Sequence, residues 1–225
     1  MAFLFLIFSF LLLVFARQIL LNLIWKISGP NFAKTIYFLL FFPGIIIHEM
    51  SHFLVATLLM VPTGEISLFP EEKGMGSIQI AKTDPIREAI IGLAPTIIGT
   101  TIILSIFLIP LNFPLKTIGL QKIPLLLQGW QNLFWLYLIF VTTNTMFASE
   151  SDRRSWLGLI ALIIIIASLL YLFNLLSVVV GPFFYYAAIA ANFISTAYIS
   201  TFFINLIFIA PLFIFQLIIE KITNP

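Results

Sequence analysis

The chain of 225 residues has no cysteine, which excludes disulfides, thiol catalysis and any thiolate-held metal. A metal ion here must be bound by histidine and carboxylates. Charge is nearly as scarce: 9% of residues are charged, where soluble domains carry about 25%, so a water-soluble fold is excluded. The 11 basic and 9 acidic residues leave a net charge of +2 and are scattered along the chain. No basic stripe exists to follow a phosphate backbone, and nucleic acid is not an expected partner. Histidine occurs twice.

What abounds is apolar. Hydrophobic residues make up 61% of the chain, with 25 Phe and a mean hydropathy of +1.15, and several runs exceed the roughly 18 apolar residues that mark a crossing helix. The expected class is an all-α polytopic membrane protein with six transmembrane helices, or seven, and a short β-hairpin at the membrane surface. It forms a single integral-membrane domain over residues 1–225, embedded in the lipid bilayer of the cell membrane. Within it, residues 1–33 hold the first span and its loop, 34–155 the core, and 156–225 the C-terminal spans.

Residues 3–25 have neither a basic segment before them nor a small-residue cleavage site after them, and are expected to form a retained first span. Arg17 lies inside it, where a charge is costly unless it snorkels to the interface, its ordinary role, or faces a partner. A polar break over 26–34, with Gly29-Pro30-Asn31, precedes a second span over 35–61, in which Pro43 and Gly44 predict a bend. Over 62–82 the period changes to alternation, as in Glu65-Ile66-Ser67-Leu68 and Ser77-Ile78-Gln79-Ile80, with turn residues between. That is a hairpin over 63–82.

Asp84-Pro85 supplies an N-cap and first position for a third helix over 85–109, whose Gly92, Ala94 and Gly99 allow close approach by another helix. A fourth span is expected over 130–147, followed by the densest polar cluster of the chain, 148–154. A fifth covers 156–180 until Gly181-Pro182 breaks it. The remainder fits one long tilted helix or two short ones.

The two histidines stand four apart with a glutamate after the first: His48-Glu49-Met50-Ser51-His52. Residues four apart share a helix face, so both imidazoles can address one ion while Glu49 projects beside it. A buried His–Glu pair that merely packs helices is the competing explanation. Three ionisable groups inside an apolar span are costly, however, and normally mark a function. A catalytic zinc has three protein ligands and an open position, so one ligand is still to be found. Glu65, Glu71, Glu72, Asp84, Glu88, Glu150 and Asp152 are the candidates, those of the 148–154 cluster being best placed at the mouth of a span.

These motifs resemble the site-2 protease family of intramembrane zinc metalloproteases: His-Glu-x-x-His within a span, then a surface hairpin, then a later span ending in an aspartate. The family's third ligand is the aspartate of Asn-x-x-Pro-x-x-x-Leu-Asp-Gly. Asn144 and Asp152 stand at that spacing, with Phe147, Ser151 and Arg153 at its Pro, Leu and Gly positions. Ala94-Pro95-Thr96-Ile97-Ile98 is similar to the family's Gly-Pro-x-x-Asn helix, with Ala94 and Ile98 replacing Gly and Asn.

The resemblance spans about residues 40–160. It implies Zn2+ held by His48, His52 and Asp152, with Asn144 supporting the ligands by hydrogen bonds. It also implies Glu49 as the catalytic proton carrier, and a membrane-spanning or membrane-adjacent protein or peptide as substrate, its backbone paired to the hairpin edge. Thr142, Thr143 and Thr145 either assist the ligands or make ordinary interhelical bonds. The alternatives are a catalytically silent relative that binds a membrane protein, and a zinc-dependent hydrolase of a lipid-like substrate.

Overall fold

The computed structural model describes residues 1–67, 69, 76–115, 126–149, 152, 156–172 and 176–223. Among them lie six helices and one two-stranded sheet: α1 (Ala2–Gly29), α2 (Phe32–Leu58), β1 (Thr63–Ser67), β2 (Ser77–Ile80), α3 (Pro85–Leu108), α4 (Trp130–Thr145), α5 (Trp156–Leu172) and α6 (Leu176–Thr223).

Four helices are long and apolar enough to cross a membrane: α1, α2, α3 and the Gly181–Ile222 part of α6. With 16 and 17 residues, α4 and α5 reach about 24 and 26 Å at about 1.5 Å per residue, short of a hydrocarbon core of about 30 Å. By the same rise, α6 with its 48 residues is about 72 Å long.

Two expected breaks turn out differently. The polar stretch 26–34 is no extended loop, because the chain turns at Gly29 (φ 70, ψ 169) and resumes as α2. That left-handed dihedral is open to glycine and costly for other residues. Pro43 and Gly44 lie within α2 with helical dihedrals, which a bent helix also keeps, and Gly29 is the non-helical residue in this stretch. Gly181 and Pro182 lie inside α6, which already begins at Leu176 and continues through Pro211. At Pro182 the flanking apolar run favours helix more strongly than one missing N–H opposes it, because lipid offers the backbone no other partner.

The cap and the hairpin fall where expected. Asp84 accepts the Ile86 and Arg87 backbone N–H groups at 3.1 Å each. The Arg87 N–H foremost, then the Arg87 guanidinium, holds its carboxyl below the usual carboxylate range. β1 and β2 pair antiparallel, Ile66 opposite Ile78 and Ser67 opposite Ser77, with an irregularity between Thr63 and Ile66.

The core is built around α4. One buried cluster joins Leu13 of α1, Ile103 and Phe107 of α3, Leu136 and Ile139 of α4, and Ile204 of α6. A second joins Leu20, Phe41, Ile45, Val141 and Ile209 from α1, α2, α4 and α6. Residues 139–145 of α4 are buried without interruption, so its polar end, Thr142 to Thr145, lies inside the bundle. A third cluster, of Ala56, Val61 and Ile91 with Ile80 against it, seats the hairpin base on α2 and α3.

Candidate metal centre

Two close contacts set the depth of the site. A Cβ added to Gly44 would stand 2.6 Å from the Thr145 Oγ1 and from the Val141 carbonyl oxygen, so the missing side chain lets α2 pack directly against α4. One turn further along α2, His48 meets the end of α4, and its Nδ1 lies 2.6 Å from the Thr145 carbonyl oxygen. One turn further again, His52 Nδ1 lies 2.9 Å from the Ile91 carbonyl oxygen of α3. On α3 itself, a Cβ at Gly92 would stand 2.2 Å from the Asp152 carbonyl oxygen. Asp152 is thus seated on the bare face of α3, and its Oδ2 accepts the Ser149 N–H at 2.7 Å.

His48, His52 and Asp152 converge, each offering one ligand atom within 4.8 Å of the others. His52 Nε2 is 3.3 Å from His48 Nε2 and 3.4 Å from Asp152 Oδ1, and His48 Nε2 is 3.8 Å from Asp152 Oδ2. A carbonyl oxygen can only accept, so each Nδ1 carries the hydrogen and each neutral ring keeps a lone pair on Nε2. Two lone pairs and a carboxylate then face one another across 3.3 to 3.8 Å, an arrangement that a cation or a proton among them would stabilise. Donors about 2.0–2.2 Å from a tetrahedral ion lie about 3.3–3.6 Å apart. The His48–His52 and His52–Asp152 separations fall in that range and the His48–Asp152 separation lies just above it, so His48, His52 and Asp152 are the residues that would hold such an ion.

Glu49 is buried on the same helix and does not belong to the three. Its side chain lies against the start of β2, where a Cβ at Gly76 would stand 3.0 Å from Glu49 Cγ and 3.2 Å from Oε1. The hairpin therefore sits directly over the carboxylate.

The other acidic candidates among the described residues, Glu65, Asp84 and Glu88, are not in the converging group, and Asp84 is occupied as the cap of α3. Glu71, Glu72 and Glu150 lie outside the described residues. The Asn144 side chain makes no hydrogen bond to the ligands: its Nδ2 donates to the Phe140 carbonyl (2.8 Å) and to Asn205 Oδ1 of α6 (3.3 Å). Thr143 and Thr145 donate back into α4, to the Ile139 and Val141 carbonyls, so these hydroxyls serve the helix rather than the ligands.

Arg17 does not snorkel. Its Nε donates to the Asn144 carbonyl at 3.0 Å, and its guanidinium lies 5.6 Å from the centre of the Phe147 ring. A charge inside an apolar run was the signal for this role; its partner, 127 residues away, was not readable locally. Thr96, which donates to the Met146 carbonyl at 2.9 Å, carried no signal at all. In comparison with known proteins, no family model, curated protein or solved structure matches the chain.

Proposed function

We propose that this protein is an intramembrane zinc metalloprotease of the site-2 protease kind, a six-span protein of the cell membrane in which α4 and α5 complete the crossings. The observation that carries the reading is the convergence of two Nε2 lone pairs, 3.3 Å apart, with the Asp152 carboxylate 3.4 Å from one and 3.8 Å from the other, and with a buried glutamate between the two histidines in sequence. Two imidazoles and one carboxylate form a ligand set typical of hydrolytic zinc. Bound zinc supplies a Lewis acid that polarises a carbonyl and acidifies water.

This chain's own residues do the rest. Glu49 accepts a proton from the attacking water and returns it to the leaving amine. The hairpin above Glu49 offers backbone partners to an unwound substrate segment, which needs them in a membrane. Gly76, lacking a side chain, leaves room between that strand and the carboxylate.

The test begins with zinc content. The wild-type protein and Glu49→Gln should purify with about one zinc per chain, and His48→Ala with none, because loss of one of three ligands leaves too weak a site. New peptide termini in membranes of cells producing the wild type should be missing with Glu49→Gln. A wild-type protein that binds no zinc overturns the proposal. Zinc without Glu49-dependent protein fragments removes proteolysis and leaves the hydrolase of a lipid-like substrate or the silent binding protein.

A further inference from the structure

In an α-helix the N–H of residue i bonds the carbonyl of residue i−4, so the Ile91 carbonyl should receive the N–H of residue 95. Residue 95 is proline, which has none, and both Ile91 and Pro95 are buried. A carbonyl left unpaired there would be costly. The hydrogen that reaches it comes from another helix: His52 Nδ1, at 2.9 Å. Since the carbonyl accepts only, the bond fixes the hydrogen on Nδ1 and turns Nε2 toward His48 and Asp152. His48 is held in the same way, but its carbonyl, that of Thr145, is free because α4 ends there.

We infer that Pro95 is a positioning residue for His52: the N–H it lacks frees the Ile91 carbonyl, and that carbonyl selects the tautomer and ring orientation that present Nε2 to the metal. For its consequence this rests on the metal-binding reading. The tautomer itself is a property of the metal-free protein and is tested without it.

Histidines carrying nitrogen-15 give four ring signals, because the chain has two histidines. In metal-free wild type both rings should show Nδ1 protonated and Nε2 bare. Pro95→Ala adds an N–H that competes for Ile91, so His52 should become a mixture of tautomers while His48 stays as it was. The zinc dissociation constant, read by competition with a chelator, should rise about 10- to 100-fold, the usual range for loss of a partner behind a metal ligand. Replacing Pro95 by lactic acid, the hydroxy-acid analogue of alanine, removes both the ring and the N–H. It should restore the His52 signals and the zinc affinity.

The inference is overturned by Nε2–H on His52 in the wild type, by unchanged tautomer and affinity in Pro95→Ala, or by a lactic acid variant that behaves like Pro95→Ala. The wild-type spectrum decides even if Pro95→Ala does not fold. A wild type with the expected tautomers but no affinity for zinc refutes the metal reading instead and leaves the role of Pro95 standing.

Discussion

Gly92→Ala is the sharpest way to ask whether Asp152 belongs to the site, because it leaves every ligand side chain chemically unchanged. The added Cβ would stand 2.2 Å from the Asp152 carbonyl oxygen, 3.0 Å from its carbonyl carbon and 3.3 Å from its Cα. Ordinary contact between such atoms is about 3.5 Å, so the Asp152 backbone must retreat by about 1 Å. The neighbouring atoms are backbone on both sides, with no flexible side chain to yield. Metal–ligand distances tolerate about 0.2 Å, so a shift several times larger carries Oδ1 and Oδ2 out of reach of an ion held by His48 and His52. Zinc affinity should fall about 100-fold, equivalent to about 2.7 kcal/mol.

Gly181→Ala is the control. It also lies within a helix, nothing is within 4 Å of its added Cβ, and glycine in a helix costs about 0.5–1 kcal/mol relative to alanine. That variant should bind zinc like the wild type and melt slightly higher. Both are read by chelator competition in the same detergent. Wild-type affinity in Gly92→Ala would show that Asp152 does not depend on its seat against α3, and the geometric argument for it as a ligand would fail.

Asp152→Ala should release zinc while Glu150→Ala keeps it, by metal analysis of the purified variants; the reverse pattern would make the eight-residue spacing from Asn144 accidental. Arg17→Met removes the donor to the Asn144 carbonyl and should lower stability by about 1–3 kcal/mol, seen as an earlier thermal transition; an unchanged transition would return Arg17 to the role of a surface anchor. Ile78→Pro disrupts the strand that pairs with β1 and should impair cleavage while zinc content stays near the wild-type level. Unchanged cleavage would reduce the hairpin to a connector.

Features whose cause is local could be read from the chain alone. The spacing of His48 and His52, the Asp84-Pro85 start of α3 and the alternation of the hairpin each depend on neighbours within a few residues, and each stands where expected. The break at Gly181-Pro182 was over-read for a physical reason: these residues are turn signals in water, where an interrupted helix can hydrogen-bond solvent, but weak ones inside apolar runs. Roles that depend on distant partners were invisible. Asn144 has the right spacing from Asp152, yet the side chain it bonds is that of Asn205, 61 residues on. Gly92 was legible as a site of close approach, yet not as the seat of Asp152 rather than of a helix.

The end of α4 explains why a metal site can form at this place in the bundle. A helix leaves its last carbonyls without partners, and α4 ends in the protein interior, where Met146 is buried. The Asn144 carbonyl takes its hydrogen from Arg17 of α1, the Thr145 carbonyl from His48 of α2, and the Met146 carbonyl from Thr96 of α3. Each of those acceptors would be costly if left bare in a medium without water, so three helices are drawn into register around one helix terminus. One of the three donors is an imidazole. Giving its Nδ1 hydrogen to α4 leaves its Nε2 pointing at the second imidazole, which is fixed from the opposite side by Ile91. The demand that closes the helix end therefore also orients the ligands. Both rings are held by backbone that the fold supplies with or without an ion, and a cation entering between them meets donors already at its own spacing.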